Sequence, residues 1–277
     1  MSKKVNAVIA VKYLLVFLIA IIIIGVPIWL MVVNSLKTTG EAYKMSLSLP
    51  KAFEIDNYSI AIHKGNFWSG LKNTFIFTSF TLILVIFFGT MASWVLARGK
   101  SKFIKFIYFM CISGILIPTS IITSIRVLKI LNIYSTYHGV VFFYTGIFLP
   151  FVIFFTTGFI KTIPIELEEA ARIDGATKIG IFFKIIFPLL KPIILTNVIF
   201  INVFAWNDFL YPFYLVNTSK MFTLTLNLNR LAHSFPYQTN WELVFAGIII
   251  VSSPLLLAFI LFQRYIIKGI MGGAIKG

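Results

Sequence analysis

The sequence predicts an all-α integral membrane protein with six transmembrane helices and both termini in the cytoplasm. Three observations carry that expectation. Apolar residues make up 59% of the 277 residues and the mean hydropathy is +0.95, far from the composition of soluble globular domains. Six runs are uncharged or nearly so, over about 13–33, 73–97, 106–125, 139–160, 192–214 and 243–263, and roughly 20 apolar residues suffice to cross the hydrocarbon core. Of the 24 Lys and Arg, the larger share falls in the segments on the side of the two termini, which the positive-inside rule assigns to the cytoplasm. The net charge of +15 is spread over loops rather than gathered on one face, so it indicates topology and excludes a nucleic-acid partner.

Taken in order, Lys3, Lys4 and Lys12 precede the uncharged run Tyr13 to Val33. No small-x-small cleavage site follows at Val33-Asn34-Ser35, so a retained helix is expected rather than a signal peptide. Ser35 to Lys72 contains Pro50, Asn57-Tyr58, Phe67 and Trp68, enough turn and aromatic residues for a small ordered cap outside the membrane. The second run ends in a tight basic turn from Arg98 to Lys105, the strongest inner-side marker. Cys111 sits inside the third run, can form no disulfide within the chain and is read as packing. Leu131 to Gly139 and Asn217 to Trp241 are further outer pieces. Pro27, Pro118, Pro150 and Pro254 fall within spans, where neighbouring protein can satisfy the backbone groups that proline frees; kinks that line a pathway and kinks that merely pack remain equal readings. His63, His138 and His233 have no metal-ligand spacing.

Between the fourth and fifth runs, Glu166 to Pro192 is the longest stretch that still reads as ordered helix. Glu166, Glu168 and Glu169 lie in the opening turns of a helix, where acids complement the positive end of the backbone dipole, and Pro164 suits a helix start. Glu168 and Arg172 have the favourable i, i+4 order for a surface pair. Asp174-Gly175 supplies a turn, since glycine reaches left-handed conformations at little cost. A second helix is expected from Thr177 until Pro188 interrupts it. Ala170, Ala171 and Gly175 leave an outer surface that another protein can approach closely. On the residues alone, the stretch reads equally as a solvated connector or as a docking surface.

Charge inside the runs is scarce. Asp208 is the one acid at membrane depth, toward the outer end of its helix at 1.5 Å of rise per residue. Either it reaches interfacial water, or Asn202, Asn207 and Asp208 face a polar translocation cavity, since intramembrane polar groups point inward to protein or water. The last stretch, 264–277, is a short basic tail, by default a frayed terminus.

Glu169-Ala170-Ala171, three residues, Gly175, nine residues, Ile185, one residue, then Phe187-Pro188 resembles the EAA motif of ATP-binding-cassette (ABC) importer permeases, with Phe187 where the family usually has Leu. Asn34-Ser35-Leu36-Lys37, Ala97-Arg98, Trp206-Asn207 and the tail resemble the maltose-type carbohydrate branch, over essentially the whole chain. The resemblance implies that this chain is the smaller permease of a heterodimer in a bacterial cell membrane. Its partners are then a second homologous permease, two cytoplasmic ATPase subunits, an extracellular solute-binding protein and membrane lipid. It further implies that Glu168, Glu169, Ala170, Ala171, Asp174, Gly175, Ile185 and Pro188 couple to the ATPase, with Pro188 joining the hairpin to the fifth helix. Gly272, Gly273, Lys276 and Gly277 are implied as a tail contact to the ATPase, and Trp206 as a path residue beside Asn202, Asn207 and Asp208. ATP and Mg are expected on the partner subunits and no cofactor on this chain. The implied cargo is a carbohydrate, an oligosaccharide first, with glycerol phosphate and other solutes as alternatives.

No phosphate-binding loop occurs; Gly65 to Lys72 lacks an adjacent Gly-Lys pair. An intramembrane enzyme is disfavoured because the runs hold no paired carboxylates and no Ser-His pairing. A gradient-driven carrier is expected to carry buried ionisable relays, and Asp208 alone qualifies.

Overall fold

The computed structural model describes the backbone of residues 2–234 and 239–274, with side chains at residue 9 and over 11–234 and 239–261. All regular elements among the described residues are helical, as backbone groups in a lipid environment require. Along the chain they are α1 (Ser2–Ala20), α2 (Val26–Ser35), α3 (Thr39–Ala42), α4 (Asp56–Lys64), α5 (Phe67–Arg98), α6 (Lys102–Leu116), α7 (Ile121–Ile130) and α8 (Tyr137–Ile160). After these come α9 (Glu166–Ile173), α10 (Lys178–Ile181), α11 (Phe187–Leu189), α12 (Lys191–Asn207), α13 (Leu210–Leu215), α14 (Leu224–Ala232) and α15 (Trp241–Ala274). Single π turns join α1 to α2 and α10 to α11.

Among the described residues, four stretches are long and apolar enough to cross a membrane by themselves: Val11–Ser35, Phe67–Arg98, Tyr137–Ile160 and Trp241–Leu261. Two bent pairs raise the number to six if each is one span. The expected third run is such a pair, because α6 and α7 meet at 119°. Pro118 lies in the break; the residue before a proline is pushed toward extended backbone, and Ile117 has φ −83° and ψ 118°. The Ser120 hydroxyl then accepts the Thr123 amide and starts α7. The other pair bends by 71° between Leu189 and Lys191. Pro188 was expected to interrupt its helix. Instead it occupies the first turn of α11, where its missing N–H costs little, and the bend falls at Leu190.

The chain divides into two compact units, residues 1–68 with 226–254 and residues 69–225 with 255–277. In the first, the segment after α2 is the ordered cap the sequence predicts, held by a buried polar knot. Lys37, 1% exposed, donates from Nζ to Asn34 Oδ1 at 3.1 Å, to Ser46 O at 2.8 Å and to Ser46 Oγ at 3.0 Å. Asn34 Nδ2 donates to Leu30 O and Ser46 O. Asn57 of α4 donates to the carbonyls of Ser35 and Lys37 at 3.0 and 2.9 Å, and the Ser35 and Tyr58 hydroxyls are 2.8 Å apart. Although Lys37 lies between two apolar runs, where a charge is ordinarily solvated, it is an internal donor.

In the second unit, small residues let helices approach closely, as membrane interfaces favour. A Cβ on Gly89 of α5 would lie 2.8 Å from Val152 Cγ1 of α8, and Ser93 Oγ donates to Gly89 O at 2.6 Å and Ile153 O at 3.3 Å. Between α8 and α12, Phe151 and Phe200 stack at 3.8 Å and Asn197 donates to Thr156 Oγ1 at 3.1 Å.

Replacing Asn57 with Ala strips the Ser35 and Lys37 carbonyls of their donor, a loss of about 1–3 kcal/mol for buried groups left unpaired. Thermal unfolding of the purified protein in detergent measures it: a lowered midpoint is expected, and an unchanged one shows that the knot does not hold the cap.

Candidate functional site

The hairpin of α9 and α10 forms from local signals that the sequence displays. Three acids open α9. At its other end the Ala176 amide donates to Ala171 O at 2.9 Å and the Gly175 amide to Arg172 O at 3.1 Å, the bond pair that closes a helix when the next residue is left-handed. Gly175 has φ +83°. A Cβ there would meet no atom within 4 Å, so backbone conformation rather than space calls for glycine. The Thr177 hydroxyl accepts the Gly180 amide at 3.1 Å and starts α10.

Beneath the turn, Ile160, Ile163, Ile181, Phe182, Ile186 and Leu190 form one buried cluster, and Met91, Trp94 and Ala97 of α5 pack against it. Both limbs of the hairpin therefore rest on the end of α5. Glu168 adds a polar lock. It is 3% exposed and does not make the expected surface pair with Arg172; its Oε1 accepts Arg98 Nε at 2.7 Å and its Oε2 accepts Trp94 Nε1 at 3.0 Å. Arg98 also donates from a terminal nitrogen to Ile163 O at 2.9 Å. Removing one partner of such a buried pair costs about 3–5 kcal/mol, because the other charge is left uncompensated.

The outward face carries Glu169, Ala170, Asp174 and Gly175, all exposed, beside a half-buried Ala171. Ile185 is half-buried and Pro188 exposed on the returning limb. The sequence reading passed over Ile173, which is 87% exposed. It stands five positions after Glu168, about 140° round the helix at 3.6 residues per turn, so the turn that buries Glu168 presents Ile173. Its signal was an aliphatic residue directly before Asp174-Gly175.

A second candidate lies where α12 ends. Asp208 leaves helical geometry, with φ −68° and ψ 125°, and its Oδ1 accepts the amides of Leu210 and Tyr211 at 2.9 and 3.3 Å, capping α13. Its Oδ2 accepts the Tyr144 hydroxyl at 2.6 Å, and its own carbonyl accepts Thr225 Oγ1 at 2.7 Å. A carboxylate held in this way is not one reaching freely for interfacial water. Asn207 and Asp208 line a concavity of about 550 Å³ with Tyr144, Phe148, Phe204 and Tyr211. Of the four expected path residues, Asn207 and Asp208 meet there. Trp206 is buried and Asn202 half-buried, and neither borders it. Tyr144 was missed because it sits 64 residues away in sequence; its only local signal was a hydroxyl inside an apolar run.

The tail divides. Gly272 and Gly273 continue the backbone of α15, whereas Lys276 and Gly277 lie outside the described residues.

Comparison with known proteins gives the fold and the family. The fold is similar, with a TM-score of 0.84 over 96% of this chain and 98% of the other at 19% identity, to a chain in the crystal structure of a bacterial ABC transporter involved in the import of the acidic polysaccharide alginate. The melibiose/raffinose/stachyose import permease protein MelC of Bacillus subtilis is 36% identical over 256 residues, 91% of each chain. The probable starch degradation products transport system permease protein AmyC of Thermoanaerobacterium thermosulfurigenes is 34% identical over 268 residues, 96% of this chain and 97% of that one. Residues 86–272 match the family model described as binding-protein-dependent transport system inner membrane component. That segment holds α8, the hairpin with its lock partners Trp94, Arg98 and Glu168, and the Asp208 concavity, and the chain belongs to this family of ABC importer permeases.

Proposed function

We propose that this chain is one permease of a bacterial ABC importer for oligosaccharides, in which it forms half of the translocation path and receives force from a cytoplasmic ATPase through the α9–α10 hairpin. The observation that carries the reading is the hairpin itself: an exposed tip of Glu169, Ala170, Ile173 and Gly175 on limbs anchored in a buried apolar cluster. Small residues admit close approach, an exposed isoleucine supplies apolar area to bury on docking, and Glu169 meets a basic group on the partner.

In this reading the two bent pairs count as spans, giving six, with both termini and the hairpin on the cytoplasmic side, as the distribution of Lys and Arg supports. ATP and Mg are bound by two partner ATPase subunits, since the family is a transport component and not a catalytic one. A second permease closes the other half of the path, and an extracellular binding protein delivers the sugar. Relatives that carry the names of oligosaccharide importers support the cargo class. So does the concavity, in which Tyr144, Phe148 and Tyr211 offer rings for the apolar faces of sugars while Asn207 and Asp208 offer acceptors for their hydroxyls. Ile185 and Pro188 belong to the limb that returns the hairpin to α12. Gly272, Gly273, Lys276 and Gly277 form a further contact to the ATPase.

Reversing the charge at the tip with Glu169→Lys is expected to weaken ATPase docking by about 2–5 kcal/mol, as at other interfaces where one partner of a charge pair is lost. Copurification of the ATPase and receptor-stimulated hydrolysis in proteoliposomes read the effect, and full stimulation would remove the hairpin as the docking element. Asp208→Asn retains an oxygen to cap α13 but loses the charge. Raffinose uptake by the reconstituted importer is expected to fall several-fold; unchanged uptake assigns the carboxylate to capping alone.

A further inference from the structure

Helix α5 has a polar joint at each end. At one end Arg98 and Trp94, four residues apart and thus on one face, grip Glu168 of α9, while the Trp94 ring packs on Phe182 of the returning limb with centroids 5.6 Å apart. One helical turn so holds both limbs of the hairpin. At the other end Asn73, 1% exposed, donates to the carbonyls of Lys220 and Phe222, both at 2.9 Å, and accepts the Tyr137 hydroxyl at 2.8 Å. Beside it Thr74 Oγ1 accepts the Leu224 amide at 3.0 Å. The next residue, Thr225, bonds the Asp208 carbonyl. The helix between the joints is continuous from Phe67 to Arg98, and Asn73 and Arg98 are about 38 Å apart along it at 1.5 Å per residue.

We infer that α5 is the rod that carries hairpin movement across the membrane, with Trp94, Arg98 and Glu168 as its inner joint and Asn73 and Thr74 as its outer joint on the 220–225 segment beside Asp208. The inference rests on the docking role of the hairpin and adds the route beyond it. It differs from the route through Pro188, because the bend at Leu190 makes α12 a poor rod, whereas α5 is gripped by side chains whose hydrogen bonds fix orientation as well as distance. Glu168 is a positioning residue in this scheme, acting through Arg98 and Trp94 and not on the ATPase.

Distance measurements between nitroxide labels test the rod in the complete reconstituted complex, in a Cys111→Ser background that removes the one native cysteine. Labels at Val95→Cys on α5 and Arg172→Cys on α9, both on exposed or half-exposed positions, are compared without nucleotide and after trapping with ATP and vanadate. In the native joint the distance is expected to stay constant to about 2 Å, the scale of small helix shifts. Glu168→Gln and the milder Arg98→Lys are expected to let it shift or broaden on trapping. A second pair, Lys72→Cys and Ser219→Cys, is expected to be constant in the native chain and to lose that constancy in Asn73→Ala. The rod is overturned if either native distance changes on trapping, or if Glu168→Gln and Arg98→Lys leave the inner distance as constant as the native one. Copurification of the ATPase with Glu169→Lys is read in parallel: retained ATPase there refutes the docking role, while a changed inner distance with docking intact refutes the rod alone.

Discussion

In hydrocarbon no water is present to accept a stray amide or carbonyl, so every interruption of a helix must be answered by other protein groups. That constraint decides where this chain is free to bend. The break at Asp208 exists because its own carboxylate takes the amides of Leu210 and Tyr211 and Thr225 takes its carbonyl. The break before α7 leans on Ser120, and the turn after α9 closes on its own carbonyls through Gly175. Along α5, by contrast, the helix runs on unbroken from Phe67 to Arg98. Each of these bends is thus sited where hydrogen-bond partners are available.

This explains what the sequence made legible. The apolar runs and the Asp174-Gly175 turn depend on residues next to one another, and they were readable with small shifts of boundary: α5 begins at Phe67, ahead of the expected start near residue 73. Pro118 was noted as a kink, yet the 119° bend it accompanies exceeds any local expectation, because the angle is set by what the two halves pack against. Glu168 was assigned to Arg172 by the logic of a single helix. A partner 70 residues away in Arg98 wins because it offers burial and a second donor in Trp94, and no spacing rule reaches that far. Tyr144 escaped notice because its partner Asp208 is distant in sequence, and the burial of Lys37 was not foreseen because a lysine in a loop is ordinarily solvated.

The chain separates its apolar adhesion from its polar specification. Aliphatic contacts such as those in the cluster beneath the hairpin hold helices together with little directional preference, because the hydrophobic effect is non-directional. The buried polar groups do have such a preference. Asn73 with two carbonyls and a phenol, Glu168 with a guanidinium and an indole, and Asp208 with two amides and a phenol each have one register in which all partners are met.

A buried ion pair is weak evidence of stability, because desolvation consumes most of the attraction; its better attested role is to fix which of several arrangements is adopted. The lock at Glu168 fits that role. A greasy contact at the same place would have held the hairpin to α5 equally well and allowed it to rock. The carboxylate accepts from two side chains of one helical turn, while Arg98 reaches on to the carbonyl of Ile163, so any rocking of α9 about the α5 axis stretches at least one short bond. On the proposed role of the hairpin, a push there has to become a change at the far end of the helices, which calls for stiffness at that junction more than for added stability, and a satisfied buried pair supplies stiffness.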